Sequence, residues 1–253
     1  EDKAYAEQAA CNAFAELDRL ESLLSRFREG SDVFILNHLR TGDITRVSPE
    51  TFDCMEQALQ CHHWTGGCFE VVRRARESAG KETLPAFALD RSSLTIQRRH
   101  ADGEIDLGGI GKGYALDCLA RLLREWDLPA ALLSSGGSTL LAMEPPPAAA
   151  SWQVRLRGDG SALPIDLNNE ALAGSGTSVK GPHIRDPRSG KTATANKVRA
   201  WAMYPTAAVA DALSTAFYIM DTREISGLLA SRPQARAYIE LPDGLVLRAS
   251  SLL

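Results

Sequence analysis

The segment Asp106–Tyr114 reads Asp-Leu-Gly-Gly-Ile-Gly-Lys-Gly-Tyr and contains four glycines and one lysine. A strand-like run precedes it and an amphipathic helical pattern follows it, so the chain is expected to pass there from strand to helix. Glycines allow backbone N–H groups to approach a phosphate closely, and the N-terminal end of a helix favours an anion. The segment therefore predicts a pyrophosphate-binding loop or, alternatively, a tight turn whose glycines serve backbone geometry alone.

The glycine spacing differs from both common nucleotide-binding motifs. It matches neither the G-x-G-x-x-G of dinucleotide-binding Rossmann units nor the G-x-x-x-x-G-K-[ST] of P-loops. A nucleotide bound by this segment would therefore need contributions from other parts of the chain.

Composition and charge exclude several classes of protein. A formal net charge of −4 and a pI near 5.8, without a basic stripe, argue against nucleic-acid binding. No apolar run reaches the length of a membrane span. An odd number of cysteines without Cys-x-x-Cys spacing predicts neither a zinc site nor a complete disulfide framework. Most of the five are expected in buried apolar surroundings: Cys11, Cys54, Cys61, Cys68 and Cys118.

Hydrophobic periodicity predicts four helices. The first covers Ala4 to Phe27, where apolar residues recur every three or four positions. The second begins at the cap Ser48-Pro49-Glu50 and ends at Thr65-Gly66-Gly67. The third follows the glycine segment, and the fourth covers Thr206 to Met220.

Short strands are predicted between and after these helices. A second small-residue turn, Ser134–Ser138, is placed where it can lie beside the glycine segment, and the proline-rich stretch 143–151 is a surface linker and candidate seam between subdomains. The predicted strands are Leu94–Gln97, Glu104–Leu107, Pro129–Leu133, Trp152–Leu156, Leu163–Leu167, Arg199–Tyr204 and the hairpin of Ala237–Ile239 with Leu245–Leu247.

Candidate chemistry is concentrated in the second half. Ser175-Gly176 ends an apolar segment, and His183 opens a run that continues through an Asp-Pro turn to Gly190. Asp211 and Thr215 lie four residues apart on one helix face, and their oxygens suit Mg²⁺. Alternatively, His183 caps a turn and Asp211 is a buried carboxylate with another partner.

Taken in order, these motifs resemble the ApbE family, the FAD:protein FMN transferases. The Gly-Gly-x-x-Lys-Gly-Tyr and His-x-x-Asp-Pro-x-x-Gly motifs occur in the family's order. In the first half Ser25, Ser31 and Asn37 resemble the family's serine and asparagine after helix one, and 65–70 resembles its Thr-x-Gly-Ala-Phe-Asp. The similarity covers most of the chain.

The resemblance implies a role for each motif residue. Mg²⁺ would be held by the carbonyl of Gly111, where the family usually has alanine, and by the side chains of Asp211 and Thr215. Lys112 would stabilise charge on the transferring phosphate, and His183, near the isoalloxazine, would be the general base. The residues implied to bind FAD are Asp106, Gly108, Gly109, Lys112, Gly113, Ser175, Gly176 and His183.

The implied activity is Mg²⁺-dependent transfer of FMN from FAD to a Ser or Thr hydroxyl of a partner flavoprotein, with release of AMP. A membrane redox-complex subunit is a candidate acceptor. Two alternatives stay open: an FAD pyrophosphatase that gives FMN and AMP, and a catalytically inactive flavin-binding module. The implied fold is α+β, related to the T-fold, with largely antiparallel sheets and packed helices in two similar halves of one domain over residues 1–253.

The chain departs from the family pattern in three places. It lacks the family's leading segment with Met-Gly-Thr, it has Glu70 where the family has aspartate, and its segment Val71–Leu84 is short. Family relatives often face the periplasm as lipoproteins, whereas unpaired cysteines suit a reducing compartment, so two localisations are expected as alternatives.

Overall fold

The computed structural model describes residues 3–73, 86–100, 103–157, 162–176, 184–193 and 197–248. The helices in these ranges are α1 (Lys3–Leu24), α2 (Asp32–His38), α3 (Pro49–Trp64), α4 (Gly111–Glu125), α5 (Ala207–Ile219) and α6 (Thr222–Ser231), with a 3₁₀ turn at Leu107–Gly109. The strands are β1 (Ile44–Arg46), β2 (Val72–Arg73), β3 (Phe87–Asp90), β4 (Thr95–Arg98), β5 (Glu104–Ile105), β6 (Leu132–Ser135), β7 (Thr139–Ala142), β8 (Trp152–Arg157), β9 (Ala162–Leu167), β10 (Glu170–Gly176), β11 (Arg199–Tyr204), β12 (Arg236–Glu240) and β13 (Val246–Arg248).

An antiparallel sheet in the order β13-β12-β11-β10-β7-β6 is the largest sheet of the described ranges. Its side chains alternate between two cores, as the two-residue period of a strand requires. In β10, Ala171 and Ala173 face α4 and α5, whereas Leu172 faces the β8–β9 hairpin together with Trp201 and Met203 of β11. The sheet therefore has helices on one face and a hairpin on the other.

Helix α5 lies between this sheet and the other helices. Its sequence is apolar nearly all round, and most of its residues are buried, including the polar Asp211 and Ser214. It contacts β10 and β11 on one side, and α3 and α4 on the others. A helix that is hydrophobic on all sides is expected in the interior, and α5 occupies that place.

Smaller sheets in the first half position the glycine segment. Strands β1, β4 and β3 form one antiparallel sheet, and β2 pairs with β5. The Asn37 side chain binds both backbone groups of Ile105: its amide donates to the carbonyl (3.0 Å), and its oxygen accepts from the N–H (2.7 Å). Arg98 is buried and donates to the carbonyls of Leu36 and Asn37. These bonds fix β5 directly before Asp106.

The mixed, largely antiparallel α+β fold expected from the sequence is confirmed. The predicted second helix begins at its Ser48 cap and ends at Thr65, and the fourth corresponds to α5. The hairpin across residues 243–244 forms as β12 and β13. Four of the cysteines are buried, Cys11 is exposed, and all five are free.

The first helix is a partial correction. It ends at Leu24, earlier than predicted, and α2, which was not predicted, follows it. Phe14 and Phe27, which belonged to the predicted apolar stripe, are 67% and 78% exposed. Phe27 lies beyond the end of the helix, so the helical period does not apply there.

Six further helices and strands were also not predicted: α6, β1, β2, β3, β7 and β10. The largest sheet takes β6 and β7 from before the stretch 143–151 and its other strands from after it. Among the described helices, none is both long and apolar enough to cross a lipid bilayer.

Candidate functional site

A direct contact joins the glycine segment of the first half to α5 of the second. The Lys112 ammonium lies 3.0 Å from Oδ2 and 3.3 Å from Oδ1 of Asp211, and it also donates to the carbonyl of Gly108 (3.1 Å). Lys112 is the second residue of α4, and Asp211 lies in the second turn of α5. The two motifs thus line one site although 99 positions separate these residues in the sequence.

Asp211 is a buried carboxylate with several donors. Its side chain is 4% exposed, whereas that of Lys112 is 36% exposed and reaches the surface. The Gly113 N–H donates to Oδ2 (3.3 Å), and the Thr139 hydroxyl donates to Oδ1 (3.3 Å). Burial raises the pKa of Asp211, while the Lys112 ammonium, the largest opposing influence, favours its ionised form. Because a buried charge needs a counter-charge, Lys112 is what makes an ionised Asp211 tolerable here.

Gly113 allows α4 and α5 to approach closely enough for this contact. A Cβ atom at Gly113 would lie 2.1 Å from the carbonyl oxygen of Ala207, the first residue of α5. That separation is far shorter than any van der Waals contact. A glycine is therefore required at this crossing whether or not its N–H also meets a ligand.

The N-terminal part of the glycine segment is held by Asp106. Its Oδ1 accepts the N–H of Gly108 (3.0 Å), and its Oδ2 lies 3.4 Å from the guanidinium nitrogens of Arg26 and Arg73. Gly109 is bounded by two side chains, since a Cβ there would lie 3.2 Å from the Phe69 ring and 3.8 Å from the Thr215 hydroxyl. The Gly108 N–H is thus already used within the protein, as is that of Gly113.

A cluster of hydroxyl groups adjoins the glycine segment. Ser175 Oγ lies 2.8 Å from Ser214 Oγ and 3.0 Å from Thr215 Oγ1. Ser175 is near the end of β10, and Thr215 is one turn after Asp211. Gly176 has a packing reason of its own, because a Cβ there would lie 2.6 Å from the carbonyl oxygen of Val198.

The turn after His183 forms as predicted, but His183 itself lies outside the described residues. The Asp186 backbone carbonyl accepts the N–H groups of Ser189 (3.2 Å) and Gly190 (2.8 Å), and Gly190 has a φ of +66°. The Arg188 guanidinium pairs with Asp186 and with Glu224 of α6. The pair with Glu224 ties the turn to α6, whereas the pair with Asp186 lies within the turn.

The small-residue turn after β6 also lies at the site. Gly136 and Gly137 adopt φ values of +60° and +67°, which favour glycine. A Cβ atom at Gly136 would lie 3.7 Å from Cδ of Lys112. The turn is thus one wall of the space around the lysine, and Thr139, which directly follows it, reaches Asp211.

The donor chemistry fits a hard divalent cation. Asp211 offers a carboxylate, the half-buried Thr215 offers a hydroxyl, and Gly111 opens α4 directly before Lys112. Within the described ranges, no cluster of three or more His, Cys, Asp or Glu side chains could hold a metal ion. A cation here would therefore depend on a single carboxylate, on hydroxyl and carbonyl oxygens, and on oxygens of a bound phosphate, a set that suits Mg²⁺.

Three polar residues at or beside the site were missed by sequence reasoning. They are Thr139 and Ser214, described above, and Asp117, whose carboxylate accepts the N–H groups of Ala207 (2.8 Å) and Ala208 (2.9 Å). A partial signal existed for Asp117, which lies four residues after Gly113 and hence on the same face of α4. Its partner helix could not be read from that spacing.

Comparison with known proteins gives a consistent result. The model of the ApbE family matches residues 3–239. The FAD:protein FMN transferase of Treponema pallidum is 30% identical over 283 residues, which cover 94% of this chain and 78% of that protein. The FAD:protein FMN transferase of Salmonella typhimurium is 24% identical, with 83% and 70% covered.

Solved structures share the fold. The ApbE protein of Thermotoga maritima superposes with a TM-score of 0.84 at 24% identity, covering all of this chain and 92% of that one. The flavin transferase ApbE of Vibrio cholerae gives a TM-score of 0.82 at 17% identity, with 99% and 90% covered. At these identities the structures establish the architecture and leave the chemistry to be argued from the residues.

Proposed function

Because the chain belongs to the ApbE family, we propose that it transfers FMN from FAD to a Ser or Thr hydroxyl of a partner flavoprotein and releases AMP. The observation that carries this proposal is the contact between Lys112 and Asp211, which brings the glycine segment and α5 to one site. Both relatives described above are named for this transfer, and they match most of the chain.

In this reaction the acceptor hydroxyl oxygen attacks the FMN-side phosphorus of FAD. The bond from that phosphorus to the bridging oxygen breaks, AMP leaves with the bridging oxygen, and the hydroxyl proton passes to a base. We assign the base to His183, whose ordinary pKa near 6.5 leaves it mostly neutral at physiological pH. The product is an FMN phosphoester on the acceptor, so atoms and charge balance without an oxidant or reductant.

Lys112 supplies the positive charge that this chain brings to the transferring phosphate. Its ammonium is partly exposed, and its three N–H groups are shared between the Gly108 carbonyl and the two oxygens of Asp211. A phosphate oxygen would take the N–H that makes the longest of these contacts, the one of 3.3 Å to Oδ1. Asp211 keeps the ammonium in place, and Thr139 and the Gly113 N–H keep Asp211 in place. The charge is thus oriented before substrate arrives, which is the arrangement that electrostatic catalysis requires.

The implied metal is Mg²⁺, which would be held by Asp211, Thr215 and the carbonyl of Gly111. When bound, it would neutralise phosphate charge and orient the diphosphate. Ser175 lies next to Thr215, and Gly176 follows it in β10. We place FAD along this side of the site, with Gly108 and Gly109 at its pyrophosphate and Asp106 beside its nucleotide end.

The test is an assay of purified protein with FAD, Mg²⁺ and an acceptor fragment bearing Asp-Gly-x-(Ser/Thr)-Gly-Ala-(Ser/Thr), the acceptor segment that the family resemblance implies. We expect AMP release together with an added FMN mass on the acceptor, and no added mass when the acceptor hydroxyl is replaced through Ser/Thr→Ala. Lys112→Met and Asp211→Asn should each lower the rate at least 100-fold, because one interaction with a reacting phosphate is worth several kcal/mol. Lys3→Met, at the exposed start of α1, is the matched control and should leave the rate unchanged.

Other outcomes contradict the proposal in distinguishable ways. AMP and free FMN without any labelled acceptor would identify a pyrophosphatase. Flavin binding without AMP release would identify a binding module. Full transfer by Asp211→Asn would show that the Asp211 carboxylate has no role in the reaction.

A further inference from the structure

The N-terminus of α5 is capped by a residue from another helix. Thr206 occupies the N-cap position in an extended conformation, but its side chain makes no capping bond. The two first-turn N–H groups, of Ala207 and Ala208, donate instead to the two carboxylate oxygens of Asp117 in α4, at 2.8 and 2.9 Å. The orphan donors that every helix start exposes are therefore satisfied across a helix–helix contact.

A cap supplied by another helix fixes the position of α5, which a cap within its own chain segment does not. A Ser, Asp or Asn at position 206 would satisfy a first-turn N–H equally well and would stabilise α5 wherever it lay. Bonds from Asp117 hold α5 in one position along α4, because both donors must meet a single carboxylate. The same face of α4 carries Gly113, one turn earlier, where the backbones of the two helices touch.

The site lies directly on this junction. Lys112 is adjacent to Gly113, and Asp211 is one turn beyond Ala207, so their 3.0 Å contact spans the same pair of helices. The contact at Gly113 limits how close the helices can come, and the bonds of Asp117 oppose their separation and sliding. Between them they set where the carboxylate of Asp211 stands relative to the ammonium of Lys112.

We infer that Asp117 is a positioning residue, which acts on FMN transfer by fixing the register of α5 against α4 and thereby the placement of Asp211 beside Lys112. This inference rests on the proposed function for its kinetic consequence. Asp117 touches no reacting group, so its effect must reach the reaction through the two helices. An error of about 1 Å in such a placement can lower a rate about 100-fold.

The experiment separates positioning from stabilisation. Asp117→Ala removes both acceptors and should lower Tm and kcat together. Adding Thr206→Asp supplies a local cap, so the double variant should regain Tm toward wild type while its kcat stays at least tenfold low, with the KM for FAD changed less than kcat. A double variant with wild-type kcat would show that Asp117 only stabilises α5, and would overturn the inference.

Two further variants serve as controls. Asp117→Asn keeps the shape and one acceptor oxygen, so it should fold and show an intermediate kcat, and a wild-type kcat in it would also count against positioning. Asp221→Ala removes a local cap from α6, where Asp221 accepts the Glu224 N–H at 2.9 Å. It should lower Tm without lowering kcat at temperatures below the transition.

A crystal structure of the double variant tests the inference without any activity. We expect the Lys112–Asp211 distance to lengthen beyond hydrogen-bonding range, or α5 to shift along α4. An unchanged contact would overturn positioning. If wild type transfers no FMN but the double variant shows this shift, the proposed function fails and the structural role of Asp117 stands.

Discussion

An alanine at position 113 would place its Cβ atom inside the contact between α4 and α5. The atom would lie 2.1 Å from the carbonyl oxygen, 2.4 Å from the carbonyl carbon of Ala207 and 2.7 Å from the nitrogen of Ala208. All three are backbone atoms that cannot rotate away, so the helices must separate locally by about 1 Å. We therefore expect Gly113→Ala to disturb both the stability and the site.

The size of the effect follows from two opposing contributions. Overpacking of a close contact costs about 1–3 kcal/mol, and a rigid backbone neighbour places this case at the upper end. Alanine is favoured over glycine inside a helix by about 1 kcal/mol, which offsets part of that cost. The expected net loss is about 2 kcal/mol, or a fall in Tm of about 4–8 °C for a chain of this size.

The matched control is Gly227→Ala in α6, where a Cβ atom meets nothing within 4 Å. This variant has only the gain in helix propensity and should raise Tm by about 2–4 °C. Thermal unfolding gives Tm for both variants, and FMN transfer below the transition gives kcat, which should fall at least tenfold in Gly113→Ala alone. Equal Tm changes in the two variants would show that the α4–α5 contact tolerates a methyl group, and the reasoning about Gly113 would be wrong.

Two more predictions concern the groups around Asp211 and Asp117. Thr139→Val keeps the shape of a fully buried side chain but removes its hydrogen bond to Asp211. The free energy of unfolding should therefore fall by about 1–2 kcal/mol, and kcat should fall as well. Unchanged urea denaturation and an unchanged kcat would refute a role for this hydroxyl. Burial raises the pKa of Asp117 to about 6, so the folded state binds its proton more tightly than the unfolded state, whose value is near 3.8. The free energy of unfolding of wild type relative to Asp117→Asn should therefore be greatest below pH 4 and should fall by up to about 3 kcal/mol as pH rises to 6. Urea titrations of both proteins measure this difference. A difference that stays constant between pH 4 and pH 7 would contradict the prediction.

Local sequence signals located those elements whose structure is decided locally. The Ser48 cap with its following proline identified the start of α3, and the uniformly apolar pattern identified α5. Helix α6 carried an equally local signal that was overlooked, since Asp221 and Glu224 form a capping box. The sequence therefore contained enough information to predict α6.

Strand β10 shows what sequence alone did not contain. Its residues Glu170–Gly176 are mostly Ala, Gly and Ser, which have little intrinsic preference for strands. The segment is a strand because β7 and β11 pair with it from both sides, and its small side chains let α5 pack closely on the sheet. Tertiary pairing therefore decides the structure where local propensity is weak.

The site shows the same division. Motif order suggested that Lys112 and Asp211 meet, but no spacing rule relates residues 99 positions apart. The involvement of Thr139 and Asp117 depends on how the sheet and the helices cross, which becomes visible only in three dimensions. The roles assigned to the site residues in catalysis stay predictions until the variants are measured.

The enclosure of α5 determines which side of the candidate site can adjust to an incoming molecule. The sheet, α3 and α4 surround this helix and the two bonds from Asp117 hold it along α4, so in the wild-type protein a shift would have to break those bonds as well as disturb the core. Asp211 and Thr215 consequently form an immobile wall. Adjustment is left to the opposite wall, where Gly108 and the turn at Gly136 and Gly137 are exposed. The rates at which molecules enter and leave the site should therefore be limited by the motion of these loops. A substitution that stiffens the loops should slow turnover while leaving the fold intact.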